Sequence, residues 1–534
     1  MPPPISLKRK RRDPAAQRRG FEDLQLDFLA GLRIVEKLGT ARPTNHDSVF
    51  EHDDDLLNSL NWISLLLETD SSIPQRDIAA ALSAEKGRIV LYLAKPNAQL
   101  PTGEERECVA ILMRTLRLAL KEDRLGSNAM VNRFTHMMSG KTLPELFRKL
   151  SRISTVRGRT PQENWEHFLS ILPTWRQGHP KGETSPGFIQ LAKRFHGLVH
   201  GAKYASMEMV ETMRSFILYD ECKPLEKMNA DEKSRFTTLL MFTSALMIAS
   251  TFFRDLITPG ARFHETLDHD DLIFMYELYR RIYDIARYSF GCSSFCTTGV
   301  PFLVEALGDE GIDQFLDGKG GIFVHWVVRS HRQVPRTLYW AASPEVKVRR
   351  VLALDALALE DLEPHHYDKM ARRAEVANLW TKGKPVTPIL HAELQLIRYL
   401  ERRDIPVVGK AVGMNQPPCW ACHLYIRNAG PLRSPQWRMT HTTGKPRGPW
   451  MIPPGCPSDL AQGLLRLLDK RVCAAVEEYG FECCYDHGEE IGFDWRRANT
   501  DFRSEDMDSD ADCDMPNAQN HPVPEVAMLD GAPC

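Results

Sequence analysis

The sequence lacks an excess of charge of either sign. Its 534 residues carry 68 Lys and Arg against 70 Asp and Glu, which gives a formal net charge of −2. This balance excludes a uniformly basic or uniformly acidic protein, although it does not say where the charges lie. Cysteine is also scarce, with 12 irregularly spaced residues. A disulfide scaffold is therefore excluded, and a reducing compartment is expected.

The sequence also has little that resembles an export signal or a membrane span. Five basic residues at 8–12 are followed by Asp13 and Pro14 rather than by the apolar stretch of a signal peptide. The uncharged run at 236–253 carries six hydroxyl side chains, and we expect a buried core helix there. We therefore expect an intracellular protein, cytoplasmic or nuclear, because the basic run is typical of a nuclear-import signal as well as of a solvated tail.

Four segments differ in composition. Residues 1–20 predict a disordered basic tail, and residues 500–534, with Asp at alternate positions from 506 to 514, predict a disordered acidic one. Residues 21–300 show apolar side chains three or four apart, as in 104–121, and few alternating strands, which predicts a mostly helical region of unknown role. In 310–495, strand-like runs such as IFVHWVVRSH and 405–413 alternate with helices, among them one from Ser458 to Gly480. This alternation predicts an α/β domain.

Two short segments of that α/β range carry residue types that bind zinc. HAELQLIRYL contains His391 and Glu393, and PPCWAC contains Cys419 and Cys422. A catalytic zinc keeps three protein ligands and one open position, which one His and two Cys satisfy. Both segments are expected to begin helices, so two thiols three residues apart would point the same way. Glu393 could approach a metal-bound water only if its helix begins at the histidine.

The spacing H-x-E followed by P-C-x-x-C is the signature of zinc deaminases. It predicts a hydrolytic deaminase in which zinc activates a water for attack on a nucleobase. Glu393 would accept the water proton and deliver it to the ring nitrogen and then to the departing ammonia. Cytosine and adenine are chemically similar targets, so the spacing does not distinguish them.

Three other functions use the same residues. Cys419, Cys422 and His423 spell C-x-x-C-H, the haem-attachment motif of c-type cytochromes, but that chemistry follows export. A C-x-x-C between a strand and a helix is also typical of a dithiol oxidoreductase. In the third alternative the protein is a non-catalytic interaction module, in which zinc only stabilises the α/β domain while the helical region binds a partner.

This part of the sequence resembles the cytidine deaminase superfamily, and more closely a group of fungal proteins with a predicted nucleic acid or nucleotide deaminase domain. The resemblance lies in HAELQLIRYL, VVGKAVGMNQPPCWAC and THTTGKPRGPWMIPP. It implies a three-layer α/β/α cytidine deaminase-like domain preceded by the largely all-α region. It also implies Zn²⁺ held by His391, Cys419 and Cys422, with Glu393 as the proton shuttle. The third segment is looser than the compact His-Gly-Lys pattern of the group.

The predicted substrate follows from the residues around the cysteines. No Asp or Glu occurs between Ile405 and Ser458, whereas six basic residues and three tryptophans do. Cations suit phosphates and aromatic rings suit stacked bases, although core tryptophans and solvated cations explain the same composition. We therefore expect a nucleotide or single-stranded nucleic acid as partner, and no membrane. The candidate substrate-binding residues are Trp420, from this composition, and His441, Lys445 and Trp450, which the resemblance places in the group's His-Gly-Lys and Trp-Pro segment.

Overall fold

The structure, a computed structural model, describes residues 14–38, 54–68, 77–85, 87–121, 128–178, 209–218, 228–258, 261–328, 336–344, 346–348, 379–429, 436–440 and 446–485. The helices are α1 (Pro14–Leu38), α2 (Asp55–Leu66), α3 (Gly103–Lys121), α4 (Asn128–Ser154), α5 (Pro161–Gly178), α6 (Met209–Ile217), α7 (Ala230–Ile248), α8 (Thr251–Ile257), α9 (Arg262–Thr266), α10 (His269–Ser294), α11 (Val300–Leu316), α12 (Ala392–Arg402), α13 (Trp420–Ala429) and α14 (Ser458–Tyr485). The strands are β1 (Ala79–Glu85), β2 (Arg88–Ala94), β3 (Ile322–Val327), β4 (Leu338–Tyr339), β5 (Pro385–Val386) and β6 (Gly413–Met414).

The chain forms two compact units, each assembled from separate stretches. One comprises Met1–Arg42, Tyr339–Pro385 and Leu465–Cys534; within it the rings of Trp340 and Trp380 stack with their centroids 4.8 Å apart. The other comprises Pro43–Leu338 and Val386–Leu464 and contains the larger sheet. The predicted division at 21–300 and 310–495, with tails at 1–20 and 500–534, stays a prediction.

The larger sheet has four strands in the order β3-β2-β1-β6. β1 and β2 form an antiparallel hairpin, β3 runs parallel to β2, and β6 pairs antiparallel with β1. β4 and β5 form a separate two-stranded sheet. The described part of the chain is thus mostly helical with a mixed sheet, which is compatible with an α/β domain. The finer expectation, a three-layer α/β/α deaminase domain, stays a prediction.

The hairpin of β1 and β2 lies within the range that the sequence predicts to be helical. β1 has the sequence AAALSAE, and because alanine is depleted in strands, the segment gives no strand signal. The expectation of few strands in 21–300 is therefore wrong at 79–94. The alanines suit the middle of the sheet: Ala79, Ala80 and Ala81 are completely buried, and their small side chains let helices approach closely.

Helices lie against both faces of this sheet. Ala80 packs in the larger apolar core together with Leu60 of α2, whereas Ala79 packs in a smaller core together with Leu396 of α12. Successive strand residues point to opposite faces, so α2 and α12 are on opposite sides of β1. The long helices α4, α7 and α10 contribute to the larger core.

The contact of α2 with β6 is close enough to require a glycine. A Cβ on Gly413 would lie 2.2 Å from the carbonyl carbon of Leu60. Two buried polar residues of α2 bind the strand: the Asn61 side chain accepts a hydrogen bond from the Met414 N–H at 2.7 Å, and the Ser64 hydroxyl donates to the Gly413 carbonyl at 3.2 Å. These bonds fix the segment that leads into the cysteine loop.

Several helix predictions are confirmed. The stripe at 104–121 lies in α3, and Ser458 begins α14, which extends beyond the predicted end at Gly480. The uncharged run at 236–253 forms the end of α7 and the start of α8, and its apolar side chains are mostly buried. In the part of the chain that the structure describes, one helical stretch, Asp270–Leu316, is long and apolar enough to span a membrane. Half of its most apolar window is buried inside the protein, as in a core helix.

The strand predicted at 405–413 is wrong over most of its length. Val408–Lys410 form a 3₁₀ turn, and only Gly413 of the predicted run lies in a strand. Gly409 and Lys410 have φ angles of 55° and 47°, in the left-handed region that interrupts extended backbone. Pro406 in addition lacks an N–H for a strand ladder. The strand predicted in IFVHWVVRSH is confirmed as β3.

Candidate metal centre

The first ligand segment ends a loop and begins α12. His391 is the N-cap of this helix, with φ −64° and ψ 155°, and the helix itself starts at Ala392. Glu393 therefore lies in the first turn, where it can face the same space as the imidazole. This arrangement meets the condition that the sequence sets for the glutamate.

The second ligand segment begins α13 in the same way. Cys419 directly precedes Trp420, the first residue of the helix, and Cys422 lies in the first turn. Both sulfurs are buried, with residue exposures of 1% and 0%. Unpaired N–H groups at a helix N-terminus favour the thiolate form, which is the form that binds metals.

The three ligand candidates converge. The Nδ1 atom of His391 lies 3.6 Å from the sulfur of Cys419 and 3.3 Å from that of Cys422, and the three donor atoms all lie within 4.8 Å of one another. Donors around a tetrahedral zinc ion, at its usual bond lengths to nitrogen and sulfur, are separated by about 3.6 Å. The cluster could therefore hold a metal ion, and its donor set is the one that zinc prefers.

Glu393 lies beside the cluster, next to the imidazole and the Cys422 thiol. It is completely buried, and its Oε1 atom lies 3.9 Å from Nδ1 of His391. Burial raises the pKa of this carboxyl group to about 6. Burying a carboxylate is costly, so its position beside the three donor atoms suits a group that exchanges protons with a metal-bound water.

The electrostatics of the metal-free cluster concentrate one negative charge on Cys419. Burial opposes the thiolate, but hydrogen bonding with Cys422 and the nearby imidazolium lower the pKa of Cys419 well below its usual range. Burial also opposes the imidazolium, but the Cys419 thiolate outweighs it and raises the pKa of His391 to about 9. Burial and the neighbouring thiolate raise the pKa of Cys422. A metal ion would thus replace protons on His391 and Cys422.

Trp450 binds one of the ligand sulfurs. Its indole N–H donates to the sulfur of Cys422 at 3.1 Å, and its side chain is completely buried. The backbone places it there: the Ile389 N–H donates to the Pro449 carbonyl at 2.6 Å, and the Met451 N–H donates to the Ile389 carbonyl at 2.8 Å. The segment around Trp450 therefore lies alongside the residues that precede His391.

A partly buried ion pair holds the loop before Cys419. Arg447 donates to the Asp77 carboxylate at 3.0 Å, to the Gln416 side chain at 2.8 Å and to the Pro417 carbonyl. The sequence interpretation counts Arg447 among the cations that suit a phosphate, whereas here the guanidinium has internal partners. Asp77 is not predicted at all, because nothing in its local sequence relates it to a loop more than 300 residues away.

Two further residues that sequence reasoning misses hold the ligand segments. The side chain of Asn97 accepts a hydrogen bond from the Leu390 N–H at 2.9 Å, and its backbone N–H donates to the Leu390 carbonyl at 2.8 Å. Buried Arg287 of α10 donates to the carbonyls of Met414 at 2.9 Å and Asn415 at 2.8 Å. Both anchors come from parts of the chain that give no motif.

The predicted substrate-binding residues are placed as follows. Trp420 is partly buried at the start of α13, directly after Cys419. Trp450 is buried against Cys422, so stacking on a base would require the site to open. His441 and Lys445 lie outside the described residues. Their substrate roles all stay predictions.

Comparison with known protein families finds a match that covers the candidate metal centre. Residues 390–454 match a family model described as OTT_1508_deam-like deaminase, a stretch that includes His391, Glu393, Cys419, Cys422 and Trp450. No curated protein and no solved structure matches the chain. The match does not concern the source organism, so the likeness to fungal proteins in particular stays a prediction. The resemblance to deaminases is confirmed at residues 390–454, where the chain is similar to this family.

Proposed function

We propose that the protein is a zinc-dependent hydrolytic deaminase that acts on a nucleobase in a nucleotide or nucleic acid. The observation that carries the proposal is the completely buried Glu393 carboxylate, whose Oε1 atom lies 3.9 Å from Nδ1 of His391 in a cluster that could hold a metal ion. A proton carrier next to a metal-bound water is what hydrolytic deamination requires. The deaminase family match at 390–454 supports the same reaction class.

Each residue of the cluster has a defined role in this proposal. His391, Cys419 and Cys422 would hold the zinc ion, which when bound makes a water acidic enough to ionise near pH 7. Glu393 would take up that proton on its carboxylate and pass it to the ring nitrogen of the base. It would then carry the second water proton, from the hydroxyl group added to the base, to the amino group, which leaves as ammonia. Trp450 holds the Cys422 sulfur in place through its N–H donor.

The same geometry weighs against the three alternatives. A zinc ion that only stabilises the fold does not need a buried carboxylate beside it, and such a carboxylate lowers stability. A dithiol oxidoreductase needs at least one sulfur that another thiol can reach, and both sulfurs here are buried. The haem-attachment alternative does not account for the approach of His391 to both sulfurs.

The proposed location is intracellular. The cysteines that the structure describes, among them Cys108, Cys292 and Cys473, are free thiols, as expected in a reducing compartment. The cluster itself does not distinguish cytosine from adenine, or a free nucleotide from a polynucleotide. The assay with different substrates makes both distinctions.

The test combines metal analysis with ammonia release from purified protein. We expect about one zinc ion per chain and ammonia release from a cytosine- or adenine-containing substrate. Cys419→Ala should lose both zinc and activity, and Glu393→Gln should keep zinc and lose activity by a factor of about 10² to 10⁴.

Cys108→Ala is the matched control, because this cysteine is also buried but lies on α3, away from the cluster in sequence. It should keep both zinc and activity. Zinc-loaded protein that releases no ammonia from any nucleotide or oligonucleotide would refute the proposal in favour of a stabilising zinc. A reversible Cys419–Cys422 disulfide without metal would refute it in favour of a dithiol.

A further inference from the structure

The face of the sheet that α12 covers continues beyond the end of that helix as a partly exposed aromatic surface. In the parallel pair of β2 and β3, Val90 lies opposite Phe323, and Tyr92 lies opposite His325, so these side chains share one face. Phe323 is 42% exposed, His325 is exposed and Tyr92 is partly buried. We call this surface the aromatic face; its residues are Arg88, Tyr92, Phe323, His325, Tyr399 and Arg403.

Three of its rings hold one another in place. The centroid of His325 lies 5.4 Å from that of Tyr92 and 5.4 Å from that of Tyr399, and the rings of His325 and Tyr399 are stacked at 27°. The Tyr399 hydroxyl lies 2.7 Å from Nε2 of His325. Rings fixed in this way lose little freedom when a further planar group stacks on them.

Two guanidinium groups lie over these rings. Arg88 lies 4.8 Å from the centroid of Phe323, and Arg403 lies 4.6 Å from the centroid of Tyr399. Burial and the charge of Arg403 lower the pKa of His325, so its ring is uncharged at neutral pH. Glu85 lies opposite Arg88 across the hairpin and offsets part of the positive charge at that end. Cations interleaved with aromatic rings are the combination that binds phosphates and stacks bases.

Helix α12 connects this surface to the candidate metal centre. It carries His391 and Glu393 at its start and Tyr399 and Arg403 at its end. Eight residues separate His391 from Tyr399, which corresponds to about 12 Å along a helix. Stacked nucleotides of one strand are about 3.4 Å apart, so a segment of roughly four nucleotides spans this distance. A free nucleotide is too short to occupy both places.

We propose that the aromatic face binds single-stranded nucleic acid and thereby selects a base within a polynucleotide, rather than a free nucleotide, as the substrate. The link to substrate choice rests on the proposed deaminase function, but the binding itself does not. An aliphatic docking segment of a protein would need an apolar groove, whereas this surface offers flat rings and guanidinium groups. The guanidinium groups can bind the phosphates of a nucleic acid strand, and its bases can stack on the rings.

The test measures binding of a fluorescently labelled single strand of about 16 nucleotides to full-length zinc-loaded protein. One arm uses DNA and a second arm uses RNA of the same sequence. Phe323→Ala combined with His325→Ala should weaken binding about 5- to 150-fold for each base that loses its stacking partner. Arg88→Glu combined with Arg403→Glu should reduce the slope of log affinity against log salt by about 1.4, because two phosphate contacts are lost.

Matched controls come from exposed residues away from this face. Tyr339→Ala removes an aromatic ring that is 62% exposed, and Arg106→Glu reverses an exposed charge on α3; both should leave binding unchanged. Equal binding by wild type and aromatic-face variants, or no binding of either strand, overturns the proposal. A wild-type dimer that the same variants dissociate overturns it as well, because the face would then bind a second copy of the chain.

Zinc content and deamination of free nucleotides are measured on the same preparations. Strand binding that depends on the aromatic face, together with no ammonia release from any substrate, would refute the deaminase function but support nucleic acid binding by the aromatic face. If free nucleotides are deaminated at unaltered rates in the aromatic-face variants and no strand binds, nucleic acid binding by the aromatic face is refuted and the deaminase function is supported.

Discussion

Replacing Glu393 by glutamine should stabilise the metal-free protein at neutral pH. Burial raises the pKa of Glu393 from 4.5 to about 6 in the folded chain, so folding hinders ionisation of this group. A shift of one pKa unit corresponds to about 1.4 kcal/mol, which gives a penalty of about 2 kcal/mol above pH 6 and no penalty below pH 4.5. Glutamine has nearly the same shape and does not ionise, so it removes the pH-dependent part of the penalty.

The assay is urea unfolding of the two proteins with a chelator present, at pH 4.5 and at pH 7. The stability of Glu393→Gln relative to wild type should increase by about 2 kcal/mol between the two pH values. Glu104→Gln is the matched control, because Glu104 is exposed in the first turn of α3; its relative stability should stay constant. A constant difference for Glu393→Gln as well would refute the view that burial raises the pKa of this carboxyl group.

Three further predictions concern the cluster and its support. Zinc affinity should rise roughly 10- to 100-fold per pH unit between pH 6 and 8, because zinc displaces one or two protons from the cluster. These protons come from His391, whose pKa is raised to about 9, and from Cys422. Titration calorimetry in buffers of different ionisation heat checks this, and a pH-independent affinity would contradict it. Trp450→Phe removes the N–H donor to the Cys422 sulfur and should weaken zinc binding about 10- to 100-fold in a chelator competition; unaltered affinity would show that the bond does not support the ligand. Gly413→Ala should destabilise the protein by about 1–3 kcal/mol or more in thermal unfolding, because its Cβ would collide with the backbone of α2. Gly463→Ala on α14 is the control: its Cβ would meet no atom within 4 Å, so it should stabilise the protein. Equal effects of the two substitutions would contradict the close contact between Gly413 and α2.

The cluster could be predicted from the sequence because its geometry is local. His391 and Cys419 each directly precede a helix, and helix starts leave recognisable patterns of turn residues and apolar spacing. Once both helices are placed, the spacing of the ligands determines which side chains point into the same space. Only the meeting of the two helices is non-local, and for that step the sequence relies on the resemblance to deaminases.

The support of the cluster could not be predicted, because it depends on residues that are far apart in the chain. Asp77 and Arg287 reach the loop before Cys419 from distant positions, and neither lies in a motif. From composition, Arg447 is counted as a cation that could bind phosphate, but in the structure it binds Asp77, Gln416 and the Pro417 carbonyl. The sequence does not distinguish a partly buried charge pair from a solvated charge.

The hairpin of β1 and β2 shows the limit of local propensity in the fold. An alanine-rich segment favours a helix by propensity, yet β1 is a central strand because small side chains fit between the helices on both faces. The secondary structure of such a segment depends on which of its side chains are buried in the folded protein, and not on its sequence alone. The strand predicted at 405–413 fails for the opposite reason, since left-handed residues interrupt a run with good strand composition.

Ammonia release is the measurement that tests the central claim most directly. Purified, zinc-loaded protein is incubated with cytosine- and adenine-containing nucleotides and single strands, with Glu393→Gln as the blank. The zinc deaminase proposal predicts metal-dependent ammonia release that falls by about 10² to 10⁴ in Glu393→Gln while its zinc content stays the same. Equal ammonia release by the two proteins at equal zinc content would contradict the role given to Glu393, and no release from any substrate would contradict the proposed function itself.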